Sequence, residues 1–398
     1  MKLAVTTHAR LYKNSKGEYF AKAVYGYNFF TRYLSVFEEV KIIAHVEMAS
    51  DKDTENMLRV DGPNVSVFEV FFPHGKIQYI NSYSKIKKQL KFSVDDCDAV
   101  LIRTPDQLAF QLYNAVKGKI PIAVEVTADP WMLFKRGYYK NSLFRLFLRI
   151  YWTLKQKQIC KNANGTAYVT KNYLQSVYPY SVGEGYFTAS YTNTDVDSKW
   201  FSVVPHEKEN NEIILVHVAT SIDGIAKGHR ELLTATGEIT KKGYNVKVVL
   251  IGGGELNQES LQIVKNYGIE TKIIKTGTLT KEQIMERFSK SDMLVFPSYT
   301  EGLPRVVVEA MASGLACVAT ELPGIKELLS TEWLVPVKDT KLLEEKIIKL
   351  FDDDLRGQVG AENRENAKNY AIEPTMKKRK EYYGKLYELA KNNKNKSL

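Results

Sequence analysis

The chain has 398 residues, of which 44% are hydrophobic and 26% charged, which suits two globular domains and excludes a disordered chain. No run approaches the ~18 apolar residues of a membrane span. The net charge is +10, of which +9 lies in residues 1–200, and no acidic residue occurs from Pro130 to Gly183, so the first half is suited to a negatively charged partner.

The opening MKLAVTTHAR reads as a strand over residues 2–7; its apolar stretch is too short for a signal-peptide core and is broken by His8 and Arg10. Further strands are predicted in VKIIAHV, VSVFEVFF, DAVLIRTP, PIAVEVTA and GTAYVTK, with helices near 18–37, 81–92, 106–117 and 140–161. Cys97, Cys160 and Cys317 are scattered and odd in number, which gives neither a disulfide framework nor a metal spacing and fits a reducing compartment. A polar stretch without periodicity at 190–208 marks a boundary. Beyond it, continuous apolar runs (EIILVHVA, VKVVLIGGG, TKIIKTGT, DMLVFPS, ACVAT) alternate with segments of helical period, the pattern of a parallel sheet covered on both faces. The basic segment TMKKRKEYYGKLYELAKN reads as a helix, and KNNKNKSL after it as a mobile tail. The fold class is α/β, with two doubly wound Rossmann-like domains, residues 1–200 and 201–374, followed by a helix and basic tail over 375–398. Ligands of open α/β sheets bind beyond the carboxyl ends of the strands.

Residues 298–314, SYTEGLPRVVVEAMASG, place Glu301 in a turn and Glu309 inside an apolar helix that starts near Pro304 and stops at Gly314. The free amides of the helix start, Leu303 to Val306, offer an anion site between the two carboxylates. A nucleotide sugar has the matching order of sugar hydroxyls, diphosphate and ribose diol, and carboxylates accept from hydroxyls well.

The stretch EGLPRVVVEAMASGLACVATELPGIKELL resembles the signature of the retaining GT-B glycosyltransferases of family 4, the glycosyl transferases group 1, of bacterial surface-polysaccharide type. AKGH, LIGGGE, KTGTLTKEQI and SDMLVFPSYTEGLP extend the likeness over about 213–340. The resemblance implies the GT-B plan, with an N-terminal acceptor domain and a C-terminal nucleotide-sugar domain facing across a cleft, and a C-terminal helix returning toward the N-terminal domain. It gives Glu309 the donor ribose, Glu301 the transferred sugar and Lys227 the diphosphate. Gly277 would pack along the base, Gly302, Leu303, Pro304 and Arg305 would contact sugar and phosphate, and Gly253 would support base or sugar. The GGG at 252–254 is not a dinucleotide fingerprint, because no G-x-G-x-x-G continues. Many relatives carry an arginine about six residues before the lysine; here Thr220 or Ser221 stands there, and Arg305 is the candidate second cation.

In the first domain, Gly17, before the helix expected over 18–37, resembles the family's phosphate-facing glycine, although the usual Gly-Gly pair is missing. Asp129, Glu125 and His8 are the acceptor-side candidates, with Asp129 also catalytic beside Glu301 and Lys227. An Asp-Pro turn cap is the plainer reading of Asp129. The histidines show no metal spacing, and the acidic clusters at 95–98, 195–197 and 352–354 read as caps and loop charges; no metal and no cofactor is expected. The implied reaction is glycosyl transfer with retention, from a UDP-sugar or a GDP-sugar. A sugar-nucleotide epimerase and a degenerate partner subunit that binds a saccharide or an active transferase are the rivals.

Residues 135–161 hold eight Lys or Arg and no acid. Arg145, Arg149 and Gln156 fall near one helical face, and Leu146, Phe147, Ile150 and Leu154 on others. A core helix with a basic outer face is one reading. A basic, aromatic-tipped surface on an anionic leaflet, bringing the site to a lipid-linked saccharide, is the other. The expected location is the cytoplasm, peripheral to the inner face of the membrane. No nucleic-acid module is recognisable.

Overall fold

The computed structural model describes residues 1–22, 24–134, 143–204 and 211–396. Two compact units divide the chain: Met1–Trp131, Ser142–Tyr191 and Met376–Leu398 make the first, and Met132–Asn141 and Thr192–Thr375 the second.

The first unit is built on β1 (Lys2–Thr6), β2 (Leu11–Lys13), β3 (Tyr19–Ala21), β4 (Glu39–Met48), β5 (Leu58–Arg59), β6 (Val65–Phe71), β7 (Ala99–Thr104), β8 (Ile122–Val126), β9 (Gly165–Tyr168) and β10 (Phe187–Ser190). The order β10-β9-β8-β7-β1-β4 is parallel, β6 adds parallel to β4, and β2, β3 and β5 extend the far end. β7 and β8 are buried at every residue, which is why they read as unbroken apolar runs. The helices are α1 (Lys76–Phe92), α2 (Gln107–Val116) and α3 (Leu143–Asn162).

The helix expected over 18–37 is not formed. The Asn14 side chain accepts from the amides of Lys16 at 3.1 Å and Glu18 at 2.9 Å, and Gly17 takes φ +81°, so a tight turn folds β3 back on β2. The aromatic run at Tyr19–Phe20 favours a strand. Gly26 then interrupts the chain, leaving only helical turns at Tyr27–Phe30 and Thr31–Ser35.

The second unit contains β11 (Ile213–Ser221), β12 (Val246–Gly253), β13 (Ile273–Gly277), β14 (Met293–Phe296), β15 (Ala316–Thr320) and β16 (Leu334–Val335), all parallel, in the order β13-β12-β11-β14-β15-β16. This is a doubly wound sheet whose topological switch point lies between β11 and β14. Its helices are α4 (His229–Lys241), α5 (Gln258–Tyr267), α6 (Lys281–Ser289), α7 (Arg305–Ala312), α8 (Thr340–Lys349) and α9 (Asp353–Ala367).

The closing helix α10 (Ile372–Lys396) runs through most of the segment read as a mobile tail. Tertiary contacts within the first unit hold it: Tyr382 and Tyr383 are buried, the Tyr387 hydroxyl donates to Glu38 at 3.0 Å, and Lys394 pairs with Asp98 at 2.8 Å.

α3 presents the face opposite to the one expected of a core helix with a basic exterior. Arg149 is turned toward the unit: it donates to the Trp131 carbonyl at 2.7 Å and stacks 3.8 Å from that ring. Gln156 is buried and donates to the Ala128 carbonyl at 3.0 Å. Leu143, Phe147, Ile150 and Leu154 point outward and are exposed. Lys135, Arg136 and Lys140 lie outside the described residues.

Candidate functional site

The site assembles where β11 and β14 end. After β11 the chain makes a helical turn at Ile225–Lys227, and Gly228 takes φ +72°. A Cβ at Gly228 would stand 2.0 Å from the Pro297 carbonyl oxygen, so glycine is required by both conformation and space. This close approach joins the loop to the one after β14, where the Tyr299 amide donates to the Ala226 carbonyl at 2.9 Å. Lys227 Nζ then lies 2.6 Å from Glu301 Oε1, which also accepts from the Ser298 hydroxyl at 2.7 Å.

Gly302 to Pro304 lead into α7, with Pro304 as its N-cap rather than a first-turn residue. Gly324, of the P-G pair after β15, packs on this loop so closely that a Cβ would lie 1.6 Å from the Gly302 carbonyl oxygen. Val307, Val308, Ala310, Met311 and Ala312 bury the inner side of α7. Glu309 lies off that side, its side chain 14% exposed, with Arg305 3.8 Å away. Burial raises its carboxyl pKa above the usual glutamate range; Arg305 and Lys281 pull it down, and Asp195 pushes it up. Arg305, its side chain 45% exposed, thus stands beside Glu309 on the same face of α7.

Gly253 and Gly277 close β12 and β13, with a Gly253 Cβ position 3.2 Å from Thr278 Oγ1 and Gly277 at φ +72° with open space beside it. The second unit thus groups Lys227, Gly253, Gly277, Glu301, Gly302, Leu303, Pro304, Arg305 and Glu309 at the carboxyl ends of its strands.

Lys281 was missed from sequence. It opens α6 behind a Thr280–Gln283 capping box, pairs with Asp197 at 2.7 Å and acts electrostatically on Glu309. The capping box, set just past β13, was the available signal, because it fixes a helix start at a strand's carboxyl end. Ser298, which anchors Glu301, carried no motif of its own.

The first-unit candidates fare differently. Gly17 opens no helix and sits in the β2–β3 turn. Glu125 is no acceptor contact: it is 3% exposed, forms an ion pair with Arg103, and accepts from Tyr191 and Tyr383 at 2.9 Å each. Asp129 is likewise buried and used as an anchor, accepting from the Trp131 amide at 2.8 Å, from Tyr173 at 2.5 Å and from Tyr178. These three donors, the turn amide among them, give Asp129 the task of a cap and anchor within the fold. His8 stays half-buried after β1, 3.3 Å from the Thr127 hydroxyl. Desolvation and the charge of Arg103 lower its pKa to about 3, so it is neutral at ordinary pH.

Among the described residues no group of three or more His, Cys, Asp or Glu side chains could hold a metal ion. Asp197 and Asp352 cap helical segments, and Asp98 accepts from the Lys2 amide at 2.7 Å.

Two Rossmann-like sheets, the first parallel through its centre and the second parallel throughout, with a carboxylate–lysine cluster at the switch point of the second, define the GT-B class. Residues 198–373, which carry Lys227, Glu301 and Glu309, match the family described as Glycosyl transferases group 1. The chain is similar to protein CapJ of Staphylococcus aureus, 26% identical over 88% of this chain and 87% of that one. It is also similar to the capsular polysaccharide biosynthesis glycosyltransferase CapM of the same species, 28% identical over 41% of this chain and 43% of that one. The solved structure of Anabaena HepE in complex with UDP-glucose shares the fold with a TM-score of 0.64, at 13% identity over 96% and 98% of the two chains.

Proposed function

We propose that the protein is a retaining glycosyltransferase of bacterial surface-polysaccharide synthesis. It takes a sugar from a nucleotide donor, a UDP-sugar before a GDP-sugar, and delivers it to a lipid-linked saccharide at the cytoplasmic face of the membrane. The observation that carries this reading is the series Glu301, Lys227, the start of α7 and Glu309 at one switch point. The complex of HepE with UDP-glucose and the name of CapM support the donor and polysaccharide parts.

In this reading Glu309 accepts from the ribose diol, and Glu301 orients the transferred sugar. The bond from the anomeric carbon to the phosphate oxygen breaks as the acceptor oxygen bonds on the same face. The acceptor proton passes to the departing phosphate. Lys227 and the amides at the start of α7 stabilise the charge that develops there. These groups supply the positive charge without a metal, so EDTA leaves turnover unchanged. A neutral His8 is a contact for the acceptor.

Thermal-shift screening against UDP- and GDP-sugars tests the reading, since a ligand at 100 times its Kd stabilises by about 2.7 kcal/mol. One donor should raise Tm and release its nucleotide when a saccharide acceptor is added. No shift with any donor favours a partner subunit instead, and an epimerised sugar still attached to its nucleotide favours the epimerase.

A further inference from the structure

We propose that α3 is a bilayer-docking helix that lies flat on an anionic lipid surface with its outward apolar ridge in the interface and the lysines of α1 and of its own last turns at the headgroups. The proposal deepens the membrane part of the function above and rests on that reading only for what is met there, a lipid-linked acceptor.

Leu143, Phe147, Ile150 and Leu154, at helical spacing along one stripe, are 87%, 59%, 44% and 61% exposed. Phe144 and Leu146 flank the stripe and are exposed as well. Phe144, Phe147 and Tyr151 form a stacked row, with centroids 6.4 and 5.9 Å apart and ring planes 25° and 12° from parallel. The stripe continues into Lys157 and Lys161, both exposed. The side facing the unit is already engaged, through Arg149 on Trp131, Gln156 on Ala128, and Trp152 against Phe110 at 5.2 Å. The helix cannot turn its ridge inward without withdrawing those contacts. A ridge of this kind on a soluble surface marks an interaction site.

Charge selects the occupant. α2 packs against both α1 and α3, and α1 exposes Tyr83, Lys85, Lys87, Lys88, Lys91 and Phe92. Neither α1 nor α3 contains a carboxylate. A second copy of this face would set lysine against lysine with no acid to answer it. A polyanion would meet the lysines and leave the leucines and phenylalanines in water. An anionic bilayer satisfies both sets, with apolar side chains at the acyl boundary and ammonium groups at the phosphates. A helix of twenty residues is about 30 Å long, enough to lie along the surface, and among the described residues none is long and apolar enough to cross.

The test is co-sedimentation of the full chain with phosphatidylcholine vesicles, with and without phosphatidylglycerol, at low and high salt. Wild type should pellet with the anionic vesicles and less at high salt. Phe147→Glu with Leu154→Glu should abolish pelleting at both salts, and Lys85→Glu with Lys88→Glu should weaken it by about fivefold per lysine lost at low salt. The exposure of all four side chains keeps the fold, which circular dichroism checks. Equal retention on neutral vesicles, or unchanged binding by the Phe147/Leu154 variant, overturns the proposal. So does a wild-type dimer that the same variant converts to monomer, because a second copy would then cover the ridge. The thermal shift with UDP-sugars in these variants separates the two readings. Donor binding without vesicle binding defeats the docking helix alone, and vesicle binding without donor binding defeats the enzyme alone.

Discussion

Glu309 is the residue whose chemistry depends most on its surroundings. Its folded pKa is raised, chiefly by burial, so ionising it is harder in the fold than in the unfolded chain. It therefore opposes folding above its folded pKa, and that penalty disappears as pH falls below the ordinary value of 4.5. Donor binding has the opposite dependence, because a diol is held by the ionised form. Donor affinity, followed by calorimetry across pH, should decline on acidification from a higher pH than an ordinary glutamate would give. Lys281→Met should move that midpoint further up; an unmoved midpoint removes Lys281 from the site. Glu309→Ala should weaken donor binding by about 1.5–3 kcal/mol, the worth of a hydrogen bond to a charged group. Glu301→Ala should depress turnover more than nucleotide affinity, and equal losses in both would contradict a contact to the sugar. Glu125 shows a carboxylate with a purely structural task. Glu125→Gln leaves Arg103 without its counter-charge, and denaturant unfolding should show a loss of about 3–5 kcal/mol.

Among the elements, two loops carry the site, and glycines set their spacing. Gly324→Ala places a methyl against the Gly302 carbonyl, and Gly228→Ala places one against Pro297. Both should lower Tm and donor affinity together, since each displaces a loop that holds Glu301 or Lys227. Gly243→Ala is the control: φ is +87°, but nothing stands within 4 Å of the new Cβ. It should cost about 1–2 kcal/mol of backbone strain alone and leave donor affinity intact. A Gly324→Ala protein with unaltered affinity would show that the loop after β14 tolerates displacement.

Across the whole molecule, the first unit is completed by the end of the chain. Tyr382, Tyr383, Leu386 and Ala390 of α10 belong to the core around β1, β4, β7 and β8. The Tyr382 hydroxyl donates to the Val124 carbonyl at 2.9 Å. Deleting residues 376–398 should expose that core and make residues 1–191 sensitive to limited proteolysis. The core of the second unit, which contains none of these residues, should stay protected over 211–375. Cleavage of both units at the same rate would show that their stabilities are not separable.

Local pattern alone determined the second unit. Its central strands β12, β14 and β15 are buried along most of their length and so read as continuous apolar runs, and Glu301, Glu309 and Lys227 stand in or beside recognisable runs. The direction of a side chain was not legible, because helical spacing says which residues share a face and not which face turns inward. Arg149 found Trp131 and Gln156 found the Ala128 carbonyl, and these partners, distant in sequence, turned Leu143, Phe147, Ile150 and Leu154 outward. The same holds for Glu125 and Asp129. Their strand-end positions looked open in sequence, and only tertiary structure brought Arg103, Tyr191 and Tyr383 to the first and Tyr173 and Tyr178 to the second. A buried charge is decided by its partners, and those come from other elements of the fold.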